Sequence, residues 1–445
     1  MGSKRWSLAL RDFGRAAQLE PDNLHTSVQT AWCLYKLEDY QSALDRFELA
    51  LRARPDYAAA HAGLGWVLDK MQRRREAVEE FRRALRINPK IKHRPFLEAN
   101  LGAWLVDLGR YQEALEPLQN SIASKPKQAV TRDWLGCAYA HLGRHQEAIK
   151  EFQESIRLDA SRPGVYGRLG VSFAALKQFD EAVAAYTKAI QRCPNDADTH
   201  FNLGVAYGEL GRRNEEICEY KRAIEIAPGD FQTWSNLAIA CSESGDHESA
   251  IAAWKSAIKL NSESGPAYTS LELEYERMGR HQEALDAALE VERIWPDSVV
   301  SVGNVAGSLS RLGRFELALQ TARRAVQMDP DYADAHFAAA FALNGLKQHE
   351  AAILEYEKTI KLKPDFFAAH ANLGESYLEL KRNLDAIGPL QRAVELKPNC
   401  VEARDYLGIA FLKSGDRENA MEQFRIIKNL SPEFEGELSK LLQPR

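Results

Sequence analysis

A 34-residue internal period is the feature of this sequence that most restricts its fold. The segment THFNLGVAY at residues 199–207 returns as AHANLGESY at 369–377, five periods later. Set in rows of that length, the chain gives twelve full copies, and three extra residues precede the third. The rows begin at Leu24, Ala58, Pro95, Ala129, Pro163, Ala197, Phe231, Gly265, Val299, Ala333, Phe367 and Val401. A period of this length indicates stacked supersecondary units, each of which buries its apolar face against its neighbours.

Each row predicts a first helix and a second helix joined by a turn. Near the start of a row, a Leu-Gly pair is followed three positions later by an aromatic or apolar residue, as in Leu203, Gly204 and Tyr207. This is the spacing of one helix face. Because glycine inside a helix costs about 1 kcal/mol relative to alanine, its recurrence indicates that the second helix approaches too closely for a Cβ. Small and aromatic residues alternate along the second helix, and proline ends most rows.

The pattern resembles the tetratricopeptide repeat, and the resemblance extends from about Trp6 to Phe434. It implies an all-α fold, a right-handed α-solenoid superhelix of stacked helix–turn–helix repeats. We expect the twelve repeats to form one continuous solenoid over residues 24–434.

Both ends of the chain carry partial patterns. Residues 1–23 match a second helix alone, so we expect a half repeat there, in a chain that is a fragment or has a misplaced start. Residues 435–445 hold leucines at helical spacing and predict a C-terminal capping helix or tail.

The composition excludes several classes of protein. With 45% hydrophobic and 27% charged residues, the chain is that of an ordered protein. The net charge of −5 argues against nucleic acid as a partner. Basic residues do cluster between Arg73 and Arg94, either as a solvated face or as a local contact with an acidic partner or an RNA backbone.

The same survey predicts the cellular setting. No apolar run is long enough to span a membrane and no secretory signal opens the chain, so we expect a cytoplasmic protein without membrane insertion. The six cysteines lie far apart, which predicts reduced thiols and neither disulfides nor a metal site. The oligomeric state stays open.

No catalytic signature is present in the sequence. It lacks the dinucleotide-binding glycine pattern, the phosphate-binding Gly-Lys-Ser/Thr loop, His-Glu-x-x-His and Gly-x-Ser-x-Gly. The histidines mostly fall at two repeated positions, which predicts that they build the repeat. These are His61, His200, His336 and His370 at one position and His145, His247, His281 and His349 at the other. We therefore expect no enzyme, no cofactor and no metal.

The resemblance also implies a binding site, because proteins of this family hold a peptide or a partner's helix in a concave groove lined by the first helices. Two positions before the repeated glycine, asparagine recurs as Asn100, Asn202, Asn236, Asn304 and Asn372. In the O-linked N-acetylglucosamine transferases, whose repeat domain the chain resembles in part, an asparagine ladder at this position holds a peptide backbone. Amides both donate and accept hydrogen bonds, which suits that role. The alternative is that asparagine is simply common at this position.

Apolar side chains are predicted on the same face. The position one residue after the glycine holds Trp32, Trp66, Val205, Ile239 and Phe341, and one turn earlier come Phe201 and Phe337. Aromatic side chains on a groove wall provide a large contact area at low entropic cost. The alternative is packing between neighbouring first helices, above all for Trp32 and Trp66.

Two repeats depart from the pattern. Glu272 stands at the glycine position, and Ala288 and Ala322 replace the aromatic residue of the second helix. Because small residues remove packing area there, we expect a flexible or partner-filled joint between about Gly265 and Arg324.

These patterns predict a non-enzymatic interaction scaffold that binds a peptide or helical segment of a partner protein in its groove. The alternative function is the substrate-recruiting arm of a larger enzyme, of the glycosyltransferase kind, whose catalytic domain is absent from this chain. The identity of the partner is beyond the sequence.

Overall fold

A computed structural model describes residues 2–19 and 23–442, and every regular element in these ranges is an α-helix. The chain divides into two compact units, one ending at Pro228 and one beginning at Gly229. The predicted fold class is confirmed, an all-α solenoid of helix pairs. The single continuous solenoid, the half repeat and the tail stay predictions. Residues 1, 20–22 and 443–445 of the predicted half repeat and tail lie outside the described residues.

The first unit consists of one helix followed by six helix pairs. It contains α1 (Gly2–Leu19), then α2 (Leu24–Lys36) and α3 (Tyr40–Ala53), α4 (Ala58–Lys70) and α5 (Arg74–Ile87), α6 (Arg94–Asp107) and α7 (Tyr111–Ser124), α8 (Ala129–His141) and α9 (His145–Leu158), α10 (Pro163–Ala175) and α11 (Phe179–Arg192), and α12 (Ala197–Glu209) and α13 (Arg213–Ile226).

The second unit consists of six helix pairs and a short final helix. It contains α14 (Phe231–Glu243) and α15 (His247–Leu260), α16 (Gly265–Arg277) and α17 (His281–Ile294), α18 (Val299–Arg311) and α19 (Phe315–Met328), α20 (Ala333–Gly345) and α21 (His349–Leu362), α22 (Phe367–Glu379) and α23 (Asn383–Leu396), α24 (Val401–Lys413) and α25 (Arg417–Leu430), and α26 (Glu437–Leu442).

The repeated glycine marks the close approach of the two helices of a pair. A Cβ added to Gly204 would lie 2.7 Å from a ring carbon of Tyr220, sixteen residues later on α13. At Gly170 the same atom would lie 2.5 Å from the ring of Tyr186. The predicted reason for glycine inside the helix is therefore confirmed.

The two divergent repeats place alanine at the second-helix position that faces the repeated glycine in other repeats. Where Glu272 replaces glycine, the residue sixteen positions later is Ala288, and it is fully buried. Ala306 and Ala322 form the corresponding pair in the next repeat, and both are fully buried. In both repeats the first-helix residue is larger than the usual glycine, and the second-helix residue is smaller than the usual aromatic residue or leucine. The flexibility expected between Gly265 and Arg324 stays a prediction.

In four repeats, a histidine of the first helix connects the helix pair to the loop that precedes it. His200 Nδ1 lies 2.6 Å from a carboxylate oxygen of Glu219, nineteen residues later, and Nε2 lies 3.0 Å from the carbonyl oxygen of Pro194. His61 and His336 make the same two contacts with their own Glu and Pro residues. In the eleventh repeat Pro389 stands where the glutamate would be, so within the described part of the chain His370 keeps only the contact of its Nε2 atom with the carbonyl oxygen of Pro364. These histidines connect parts of the repeat, as their spacing predicts.

The last helix covers the end of the final pair. Leu438 of α26 is fully buried and lies against Gly408 of α24. The Asp405 carboxylate accepts hydrogen bonds of 3.1 and 3.2 Å from the backbone N–H groups of Glu437 and Leu438. An acceptor at a helix N-terminus satisfies backbone donors that have no partner within the helix.

Candidate functional site

A cleft of about 580 Å³ opens in the second unit among the first helices α16, α18 and α20. Its lining includes three residues predicted from their repeat positions, Asn304, Phe337 and Phe341. It also includes Leu273, which is half exposed and stands at the same repeat position as Phe341. Three consecutive repeats therefore contribute side chains to one concavity.

Four aromatic residues, Tyr332, Phe337, Phe341 and Phe366, form the aromatic wall of the cleft. The ring centroid of Phe337 lies 4.7 Å from that of Phe366 and 6.3 Å from that of Phe341. Phe337 also packs at 5.9 Å against the fully buried Tyr356 of α21. Phe341 keeps 38% of its surface exposed. The aromatic wall is thus anchored in the core and also presents ring surface to solvent.

A buried carboxylate supplies part of the polar lining. Glu272 is only 7% exposed, and its Oε2 atom accepts a hydrogen bond of 3.3 Å from Asn304 Nδ2. Burial raises the pKa of Glu272 to about 7. The Asn304 hydrogen bond and Arg311 oppose this shift, whereas the neighbouring Glu276 adds to it. Asn304 was predicted to contact a ligand. In the structure, its side-chain amide already donates one hydrogen bond to Glu272.

Glu276 lines the same cleft one helical turn after Glu272. Its Oε2 atom lies 3.2 Å from Arg311 Nε and 3.2 Å from His281 Nδ1. Its Oε1 atom is buried and has no hydrogen-bond partner among the described residues. Such an unsatisfied buried acceptor is uncommon in folded proteins. Neither Glu276 nor Arg311 was predicted, because their repeat positions carry no recurring residue type that would mark them.

The other predicted asparagines do not line this cleft. Asn236 and Asn372 are half-buried on α14 and α22 of the second unit, and Asn100 and Asn202 are half-buried on α6 and α12 of the first. Asn100 Nδ2 donates a hydrogen bond of 2.7 Å to the carbonyl oxygen of Phe96 in its own helix. The structure brings only Asn304 of this set into the cleft, and the ligand contacts of the other four stay predictions.

The remaining apolar positions differ in exposure. Ile239 on α14 is 46% exposed. Phe201 and Val205 on α12 of the first unit are half-buried, and the Phe201 ring centroid lies 5.9 Å from that of Tyr220. Their binding roles also stay predictions.

Trp32 and Trp66 are half-buried and packed against the core of the first unit. The Trp32 ring meets Phe47 edge-on at 5.7 Å. The Trp66 ring meets Phe81 edge-on at 5.2 Å and Trp104 of the next repeat at 5.5 Å. These are the contacts of the packing interpretation, which the sequence left open beside groove binding.

Part of the basic cluster of the first unit is paired with acidic neighbours. Arg73 pairs with Glu76 at 2.7 Å, and Arg83 pairs with Glu80 at 2.7 Å. Arg94 lies 2.9 Å from Glu98, and Arg74 and Arg82 are also in ion pairs. These pairs fit a solvated face, and the local contact with an acidic partner or an RNA backbone stays a prediction.

No group of histidines, cysteines and carboxylates within residues 2–19 and 23–442 is arranged to hold a metal ion. No helix in those ranges is long and apolar enough to cross a membrane. The six cysteines are free thiols.

Comparison with solved structures finds other repeat proteins. The C-terminal part of a TPR repeat-containing protein from Cytophaga hutchinsonii is 18% identical, with a TM-score of 0.47 over 55% of this chain and 99% of that one. MamA from Desulfovibrio magneticus RS-1 is 21% identical, with a TM-score of 0.37 over 39% of this chain and 98% of that one. YrrB, described as a TPR protein with an unusual peptide-binding site, is 23% identical, with a TM-score of 0.33 over 41% and 95%. No curated protein matches the sequence.

Family models of the tetratricopeptide repeat match segments in both units. In the first they match residues 34–94, 99–125, 131–161 and 172–211, and in the second residues 345–381 and 371–433; the matches to residues 197–230 and 219–252 begin in the first and end in the second. Together these segments cover more than half of the chain. With the helix pairs, the glycine seams and the 34-residue period, they show that the chain belongs to the tetratricopeptide repeat family.

Proposed function

We propose that this protein is a non-enzymatic interaction scaffold that binds a segment of a partner protein along its first helices, and that the cleft of the second unit is the main contact site. The observation that carries the proposal is the aromatic wall. Phe337 and Phe341 line a concavity in which three consecutive repeats take part.

The physical argument starts from desolvation. Large apolar side chains that stay exposed in a concavity gain free energy when a partner covers them, at about 25 cal/mol per Å² of apolar surface. Leu273 and Phe341 are both exposed in the cleft, and Ile239 is exposed at the same position of the repeat directly before that of Leu273. Aromatic residues lose little entropy on binding, which makes them common centres of interfaces.

The polar groups of the cleft suit a polypeptide ligand. An extended peptide presents both N–H and C=O groups, and each must keep a hydrogen bond when it is desolvated. Asn304 offers an amide, and the carboxylates of Glu272 and Glu276 offer acceptors. The cleft therefore provides both apolar contact area and hydrogen-bonding groups, which is the composition of a peptide groove.

The test is capture of a partner followed by titration against variants. The full chain is used as bait, captured proteins are identified by mass spectrometry, and the best partner is produced for titration. The double variant Phe337→Ala with Phe341→Ala is expected to weaken binding at least tenfold. Asn304→Ala is expected to cost about 0.5–1.5 kcal/mol of binding free energy.

The matched control is Leu354→Ala. Leu354 is a large apolar residue, 60% exposed, but it lies on the second helix α21. Its truncation is expected to leave the affinity unchanged. Full affinity in the Phe337 and Phe341 double variant, or equal loss in the Leu354 variant, would move the site away from the first helices. Thermal unfolding of each variant separates lost binding from lost folding.

A further inference from the structure

We propose that the cleft binds a cationic side chain, a lysine or an arginine, carried by the partner segment. The proposal rests on the proposed function and adds the chemistry of the partner to it. The observation behind it is the juxtaposition of carboxylates and aromatic rings in one cleft.

The ionisable groups that line the cleft are predominantly acidic. Glu276 and Asp334 line it together with one basic residue, Arg311, and Glu272 adds a third carboxyl whose pKa is raised to about 7, so that its negative charge grows as pH rises through neutrality. The guanidinium of Arg311 is already paired with Glu276 at 3.2 Å. Asp334 lies 3.8 Å from Lys363, and both side chains are about half exposed. A cation entering the cleft would therefore find excess negative charge in a setting where burial strengthens the attraction.

The hydrogen bonds of Glu276 favour the same kind of ligand. Its Oε1 atom is buried and has no donor among residues 2–19 and 23–442, although the side chain as a whole keeps 14% of its surface exposed and lines the cleft. A lysine ammonium or an arginine guanidinium supplies donors and no acceptor. An apolar ligand would leave Oε1 as unsatisfied as it is in the free protein. A carboxylate ligand would add repulsion.

The aromatic wall provides the second half of the site. A cation within about 6 Å of a ring centroid is attracted by the negative face of the ring. The aliphatic stem of lysine or arginine also packs on apolar surface while its charged end reaches a polar group. A cation–π contact of this kind is present elsewhere in this unit, where the Arg382 guanidinium lies 4.6 Å from the Tyr377 ring centroid. A basic side chain therefore fits both the rings and the carboxylates of the cleft.

The first step of the test is an unbiased selection. A phage-displayed library of nine-residue peptides is panned against the full chain, and the strongest binders are synthesised with capped ends. We expect each to contain a lysine or an arginine whose replacement by norleucine raises Kd at least tenfold. Spermine titrated in parallel is expected to bind at least tenfold more weakly than these peptides.

The second step assigns the effect to the cleft. Glu272→Gln and Glu276→Gln keep side-chain shape, and each is expected to raise Kd for the basic peptide at least fivefold while the norleucine peptide is affected less than twofold. Phe341→Leu keeps apolar area but removes the ring face, and it is expected to weaken the basic peptide more than the norleucine peptide. Glu350→Gln, an exposed change on α21, is the control and should alter neither.

The outcomes separate this proposal from the proposed function. If the selected peptides lack basic residues, or norleucine replaces the basic residue without loss, the cationic ligand is refuted. The peptide-binding cleft still stands if the Phe337→Ala and Phe341→Ala double variant abolishes binding. If that double variant binds all selected peptides normally, both proposals fail. Spermine binding as tight as the best peptide would replace the peptide by a free polyamine.

Discussion

The buried carboxylate of Glu272 should make the stability of the second unit depend on pH. Most rows have glycine or alanine at this position, whereas Glu272 is a carboxylate that is 7% exposed and has a pKa raised to about 7, mainly by burial. Replacement by glutamine keeps the shape and an oxygen that can accept the hydrogen bond from Asn304. It removes only the ability to ionise, so Glu272→Gln isolates the cost of burying the charge.

The magnitude and the sign follow from proton linkage. A carboxyl with an unfolded pKa near 4.5 and a folded pKa near 7 is protonated in both states below pH 4.5, where its full stabilising contribution is present. As pH rises through 7, the unfolded state releases its proton more readily than the folded state, so stability is lost. At about 1.4 kcal/mol for each pKa unit, the loss by pH 8 is about 3 kcal/mol. The charge of Glu276 raises the pKa of Glu272 and that of Arg311 lowers it, and the value of about 7 reflects both effects.

The assay should resolve local opening, because a chain of stacked repeats does not have to unfold in one step. Hydrogen exchange measured from pH 5 to pH 8, corrected for intrinsic rates, reports the opening free energy of α16 and α18. The wild-type value is expected to fall by about 2–3 kcal/mol across that range, because a small part of the loss has already occurred at pH 5. The Glu272→Gln value should stay nearly constant and exceed the wild-type value at pH 8.

A matched control is Glu316→Gln, an exposed change in the first turn of α19. It should follow the wild type at every pH. The reasoning is refuted if the wild type shows no pH dependence near α16 and α18. It is equally refuted if Glu272→Gln lowers protection at pH 8, since the charged form would then be stabilising the fold.

Three further predictions concern the repeat itself. Gly170→Leu should overpack its seam and cost about 1–3 kcal/mol, with protection lost around α10 and α11; loss spread evenly along the chain would contradict nearest-neighbour stacking. His200→Ala should destabilise its repeat more than His370→Ala does in local hydrogen exchange, because His370 lacks the glutamate contact; equal losses would show that the carboxylate contributes nothing. Lys347 has a φ of +59° at the turn where other repeats place glycine, so Lys347→Gly should raise the thermal midpoint, by a stabilisation of about 0.5–1 kcal/mol. Gly313→Ala at the equivalent turn should lower it, and a rise there would count against the argument.

The sequence by itself determined the fold class and the reason for its repeated residues. Helix starts coincide with the predicted row starts at Leu24 and Ala197, and the third row begins one residue early, at Arg94. Such features are predictable because each depends on one helix or one helix pair, and the same small set of contacts returns every 34 residues. The glycine seam and the structural role of the histidines belong to this group.

The tertiary structure decided which of the candidate side chains meet. Repeat position alone treats Asn304 and Asn202 alike, yet only Asn304 lies in the cleft, where it donates to Glu272. Glu276 becomes a candidate ligand contact because its Oε1 atom has no hydrogen-bond partner among the described residues. Trp66 is assigned to packing because it contacts aromatic residues of its own and the next repeat. A period records which positions are equivalent, but burial and hydrogen bonding depend on the neighbours that the other helices bring to each position. Those neighbours differ from repeat to repeat, and so the site emerges only when the helices are packed.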